Sequence, residues 1–140
     1  MAIVCKLFQS FLFFSSQLIP AAAAAAEHAW NNWNYNRSKT KIPISGGECE
    51  YLRYGFLQLF QSKSVDIAQP DVASCGGITE LKRIATMANT FGIQIIPHSW
   101  GTGIALHAAM HVIANLDPVP GRRNNPYPWM ELDRTENDLR

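Results

Sequence analysis

Residues 65–98 read VDIAQPDVASCGGITELKRIATMANTFGIQIIPH, and the fold follows from how this stretch alternates. Val65 to Gln69 is a short apolar run of strand length. A turn containing Pro70 and Gly76-Gly77 follows. Ile78, Leu81, Ile84, Ala85, Ala88 and Phe91 then recur at the spacing of a helix that buries one face. Gly92 falls where a left-handed carboxyl cap is wanted, and Ile93 to Ile96 reads as the next strand. Neither strand alternates apolar with polar residues, so both are expected inside a parallel sheet covered by helices.

The same unit repeats on either side. Upstream, Ile42 to Ser45 reads as a strand, Gly46-Gly47 as a turn, and Glu50 to about Gln61 as a helix with Leu52, Phe56, Leu59 and Phe60 on one face. Downstream, Ile104 to Leu116 is expected to be helical, with Leu106, Met110, Ile113 and Leu116 as its inward stripe. A Pro/Gly/Asn-rich loop from Asp117 to Pro128 then leads to a last short strand, Trp129 to Asp133. The class is α/β. Each strand has an ionisable residue at its carboxyl end or within it: Glu48, Asp71, His98 and Glu131. In a (β/α) barrel, that end is where active sites are built.

Bulk properties nominate no partner. The 140 residues carry a formal charge of +1, with neither a basic stripe for nucleic acid nor an acidic tail. Cys5, Cys49 and Cys75 are odd in number and lack C-x-x-C spacing, which argues against a disulfide framework and a zinc knuckle and fits reduced cytoplasmic thiols. Residues 1–38 differ in kind from the rest. Lys6, the apolar stretch Leu7 to Ile19 and the alanines 21–26 have the layout of a secretory signal. The alternative is an unrelated segment, and Trp30, Trp33 and the asparagines near them suit that. Gln9, Ser10, Ser15, Ser16 and Gln17 make the apolar run too short and polar to span a membrane.

Taken singly, each ionisable strand end has a plain structural explanation. Glu48 suits the dipole of the helix that follows it, and Asp71 can cap backbone N–H groups in a turn. His98 can be a loop histidine and Glu131 a solvated strand-end charge. Their convergence at one mouth of a curled sheet is the more informative reading. His107 and His111 lie four apart on a helix, a spacing able to bind zinc, but no H-E-x-x-H is formed, and packing or solvent exposure is the simpler account. Gly76-Gly77 opens a helix without the G-x-G-x-x-G pattern of a phosphate loop, so backbone clearance explains it better.

The motifs Ile44-Ser45-Gly46-Gly47-Glu48, Gln69-Pro70-Asp71 followed by Gly76-Gly77-Ile78-Thr79-Glu80, and Pro97-His98-Ser99-Trp100 resemble the fifth, sixth and seventh strand ends of the enolase superfamily. More narrowly they are similar to its mandelate racemase and muconate-lactonizing group. Met130-Glu131-Leu132-Asp133-Arg134-Thr135 resembles the eighth strand of the sugar-acid dehydratases and cycloisomerases in that group. The resemblance covers residues 39–140 and implies the last three to four βα units of a TIM-type barrel. It further implies that Glu48 is one of three carboxylates holding Mg2+, that His98 is a general base oriented by Asp71, and that Glu131 hydrogen-bonds a substrate carboxylate oxygen. The substrate class implied is a sugar acid or its lactone.

The departures shape the expectation equally. No residues match the first two metal carboxylates, the lysine base of many relatives, or a capping domain. One carboxylate is a poor magnesium site, because the hydrated ion is then the better alternative. The sequence therefore implies a fragment of a Mg2+-dependent enzyme that is inactive alone; the alternative is a non-catalytic remnant or exported binding protein. The expected location is cytoplasmic, or secreted if residues 1–26 are a true signal. Apolar strands without closing units are expected to leave open barrel edges through which the chain self-associates.

Overall fold

The computed structural model describes residues 37–119, 129–132, 136 and 138. The expected alternation is present as three βα units: β1 (Ser45–Gly46), α1 (Leu52–Gln61), β2 (Ile67–Ala68), α2 (Gly77–Thr90), β3 (Gln94–Ile95) and α3 (Gly103–Ile113). The strands form one parallel sheet in the order β1-β2-β3, with Ser45 opposite Ile67 and Ile67 opposite Gln94. The strands are short, but backbone bonds carry the pairing past their ends. Asp66 N–H donates to the Ile44 carbonyl at 2.8 Å, Gln69 N–H to Gly46 at 2.9 Å, and Ile96 N–H to Ala68 at 3.0 Å. A parallel bridge between Asp71 and His98 extends the β2–β3 direction toward the carboxyl end.

The core lies between the sheet and its helices. Phe56, Leu59 and Phe60 of α1 meet Leu81, Ile84, Ala85 and Ala88 of α2 together with Val65, Ala68 and Ile95 of the strand segments. The Phe60 ring has Phe56 at 6.0 Å and Phe91 at 5.7 Å between centroids, both tilted, the favoured aromatic arrangement. The outer members of the expected stripes are only partly covered: Leu52, Ile78 and Phe91 remain substantially exposed.

Helix ends explain several boundaries. At the end of α2, Gly92 has φ +67°, its N–H donates to Asn89 and that of Ile93 to Ala88, closing the helix through a left-handed residue as its sequence predicts. The end of α1 uses the same pair of bonds, Lys63 to Phe60 and Ser64 to Leu59, but the left-handed position is Lys63 at φ +53°, where no glycine advertises it. Gly76 precedes α2 at φ +112°, and a Cβ there would lie 2.8 Å from Leu52 Cδ2 and 3.0 Å from Glu80 Cβ. The expected clearance is real, and its purpose is the close approach of α1 to α2.

Glu80 supplies what the amino terminus of α1 lacks. No side chain of its own caps that helix. Instead, Glu80 Oε1, buried on α2, accepts the Arg53 backbone N–H at 2.9 Å and its Nε–H at 2.8 Å, while Oε2 accepts from Arg53 Nη2 and Arg83 Nη1 at 3.0 and 3.2 Å. These donors, the Arg53 backbone N–H foremost, hold its carboxyl below the ordinary value of 4.5. A depressed folded-state pKa stabilises the fold above the unfolded pKa, and that contribution is lost as pH falls through the folded one. Glu80→Gln keeps an acceptor for Arg53 but removes the charge. It is expected to lower the thermal midpoint at pH 7, with the gap from the parent closing once melts are run well below pH 4.5.

Two expectations are corrected. In α3 the buried residues are Ala109, Val112 and Ile113, with Ala105 and Ala108 partly buried against the core, whereas Met110 faces out and Ile104 is 83% exposed. This helix is apolar on several sides, so its periodicity did not fix the inward face. Its alanines allow the closer approach. The expected strand Trp129 to Asp133 is also not formed at residues 129–132, which join no strand; Asp133 lies outside the described residues. Met130 packs against the core, but a strand requires a backbone ladder, and among the described residues β3 has no further neighbour. Arg37 reaches Asp66 at 2.9 Å, and the Asp66 Oδ2 accepts the Ile44 N–H, bracing the amino ends of β1 and β2.

Candidate active site

The carboxyl ends of the strands carry Glu48, Asp71 and His98, and Glu131 joins them from outside the sheet. His98 follows β3 and Asp71 follows β2, and their parallel bridge sets the two side chains beside each other. His98 Nδ1 lies 2.9 Å from Asp71 Oδ2. An ionised carboxylate only accepts, so Nδ1 carries the proton and Nε2 presents its lone pair. The other Asp71 oxygen, Oδ1, accepts the Ala73 N–H at 2.7 Å, and the Asp71 carbonyl takes Ser74 and Cys75 N–H groups at 3.1 and 2.7 Å. The turn-capping role and the histidine-orienting role weighed for Asp71 therefore coexist, one on each carboxylate oxygen.

Glu131 arrives without a strand. Its Oε2 accepts the Ser99 backbone N–H at 3.3 Å and stands 3.8 Å from His98 Nε2. Ser99 is the residue that sequence reasoning left without a role. It holds Glu131 through a main-chain donor, and main-chain donors leave no sequence signal. Glu48, half-buried after β1, makes its mark through charge: it is among the groups raising the His98 pKa. The hydrogen bond to Asp71 contributes most to that rise, partial burial opposes it, and the charges of Glu131, Asp71 and Glu48 add to it, so the imidazole holds its proton above the ordinary 6.5. The Cys75 thiol, buried beneath this turn, is pushed up to about 11 by desolvation and by Asp71, which makes it inert at neutral pH. Neither Cys49 nor Cys75 is in a disulfide among the described residues.

Chemically, the arrangement is an imidazole oriented at one nitrogen by a carboxylate and open at the other, able to take a proton at Nε2. The donor set does not make a home for Mg2+. Among the described residues no group of three His, Cys, Asp or Glu side chains converges as a cation site, and Glu48 offers one carboxylate where a hard ion needs several oxygens. His107 and His111 sit on the exposed face of α3, on a different element from this cluster. A cavity of about 270 Å3 opens at the other end of the sheet, lined by Arg37, Lys41, Lys63 and Asp66 among others. Among the described residues no helix is long and apolar enough to cross a membrane.

Parallel βα units with ionisable side chains gathered at the strands' carboxyl ends are the plan of a (β/α)-barrel domain. The family described as Enolase C-terminal domain-like matches residues 4–139, and the chain belongs to that family. It is 45% identical over 104 residues to a D-galactarolactone cycloisomerase of Agrobacterium fabrum, covering 74% of this chain and 28% of the relative. It is 38% identical over 100 residues to an arabinonate dehydratase of Saccharolobus solfataricus, covering 71% and 24%. Among solved structures it is similar to the 3,6-anhydro-D-galactonate cycloisomerase from Zobellia galactanivorans, with a TM-score of 0.72 and 53% identity over 81% of this chain and 30% of that one. The chain thus spans about a quarter of the length of the curated relatives it matches.

Proposed function

We propose that residues 39–140 form part of the active-site barrel of an enzyme that removes the proton α to the carboxylate of a sugar acid or lactone, in the manner of a dehydratase, cycloisomerase or racemase. The observation carrying this reading is the His98–Asp71 pair at 2.9 Å, with Nε2 left open beside Glu131. An α-carbon proton is very weakly acidic, so its removal needs a positioned base and a partner for the charge that builds on the carboxylate. His98 is the base, Asp71 fixes its tautomer, and Glu131 is the group that hydrogen-bonds a substrate carboxylate oxygen as negative charge accumulates there. Glu48 is proposed as one oxygen ligand toward Mg2+, and the chain alone is proposed to be inactive because this single carboxylate binds a hard ion poorly. The backbones of β1 and β3, at the two edges of the sheet, support self-association through open edges.

The test grafts residues 39–140 in place of the matching segment of the Agrobacterium cycloisomerase, whose identity to this chain is 45%. The folded chimera is expected to turn over D-galactarolactone within about a hundredfold of the parent, the margin a displacement near 1 Å imposes, while the chain alone shows no turnover. A folded chimera without turnover overturns the reading of the site, and turnover by the chain alone overturns its inactivity.

A further inference from the structure

We propose that His107 and His111 on the outer face of α3 form a two-imidazole site for a borderline divalent transition ion such as Zn2+ or Ni2+. Both residues are exposed and lie one helical turn apart. That spacing sets their Cβ atoms about 5–6 Å apart on one face, within reach of a shared ion. The second observation is the state of the His107 ring. Its Nδ1 lies 2.6 Å from the Gly103 carbonyl oxygen. A carbonyl accepts only, so the ring proton sits on Nδ1 and Nε2 points its lone pair away from the backbone. Protein metal sites orient imidazole ligands in this way, with the second nitrogen donating to a carbonyl and thereby fixing tautomer and ring direction.

Helix α3, GIALHAAMHVI, contains no lysine, arginine, aspartate or glutamate, so no charge of its own competes for the imidazoles. The turn bearing His111 is tied down by Asn115, whose Nδ2–H donates to the His111 carbonyl at 2.8 Å. Two nitrogen ligands with water in the remaining positions select Zn2+ or Ni2+ and give hard Mg2+ nothing it prefers.

The test is calorimetric titration of the untagged full chain with NiCl2 at pH 7.5. A single saturable event of one ion per chain is expected. It should weaken at least tenfold in His107→Ala and in His111→Ala, disappear in the double variant, and persist in Cys49→Ser. Both histidines are exposed, so the variants are expected to keep the parent's circular dichroism. Saturable binding that survives in a folded double variant, or no saturable event in the parent, overturns the assignment.

Discussion

In the chimeric enzyme, His98→Asn lowers turnover by a factor of 10² to 10⁴, the usual contribution of a positioned general base. The substitution is chosen because an asparagine amide can replace the Nδ1–H that donates to Asp71 while lacking anything at the position of Nε2. The strand-end geometry is therefore kept and only the proton acceptor is lost. The pH dependence follows from the same contacts. His98 must be neutral to accept a proton, and its pKa is raised above 6.5, so the acid limb of the rate profile is expected above that value. Asp71→Asn should move the limb downward more than Glu131→Gln does, because the Asp71 hydrogen bond is the largest cause of the rise. The raised pKa stabilises the fold below pH 6.5, and that contribution is lost as pH climbs through the folded-state pKa. An unshifted acid limb in both variants would contradict the arrangement described.

Phe60→Ala is expected to cost about 3–5 kcal/mol, the range for emptying a buried aromatic site. Phe60 is 1% exposed and touches both Phe56 and Phe91, so its ring links α1 to the end of α2. A loss of that size is a large share of the roughly 5–15 kcal/mol that stabilises an ordinary domain. In urea the midpoint should fall by about 2 M at an ordinary slope for a small domain. Substitution of Tyr54, which is 67% exposed on the same helix, by alanine supplies the control and should shift the midpoint little. Equal shifts in the two variants would mean that the aromatic cluster is not what holds the layers together.

Periodicity made α1 and α2 legible, since each carries a single apolar stripe against polar flanks, and Gly92 marked its own cap. It failed in α3, where apolar residues surround the helix and the choice of face depends on which side chains are small enough to lie close to the sheet. It failed again at residues 129–132, because a strand needs a neighbouring backbone and composition does not reveal whether one is there. The end of α1 at Gln61 was placed as expected, but its left-handed cap carried no signal, because Lys63 occupies the position that glycine usually marks. The pairing of Asp71 with His98 was implied by the resemblance, and the structure sets their side chains 2.9 Å apart; Glu131 lies 3.8 Å from His98 although residues 129–132 form no strand. What sequence alone did not disclose is the Ser99 N–H that holds Glu131 and the double duty of Asp71.

The bridge between Asp71 and His98 has a consequence for how such a site can change. Neighbouring strands stand about 4.8 Å apart wherever a sheet is hydrogen-bonded, so the separation of the acid and the imidazole is inherited from the sheet's own lattice rather than tuned by loops. Exchange of the surrounding loops, or of whichever group meets the far side of the substrate, leaves that spacing untouched. On the proposed reading, the pair is a fixed tool in an interchangeable holder, and new substrates can be explored without remaking the step that moves the proton.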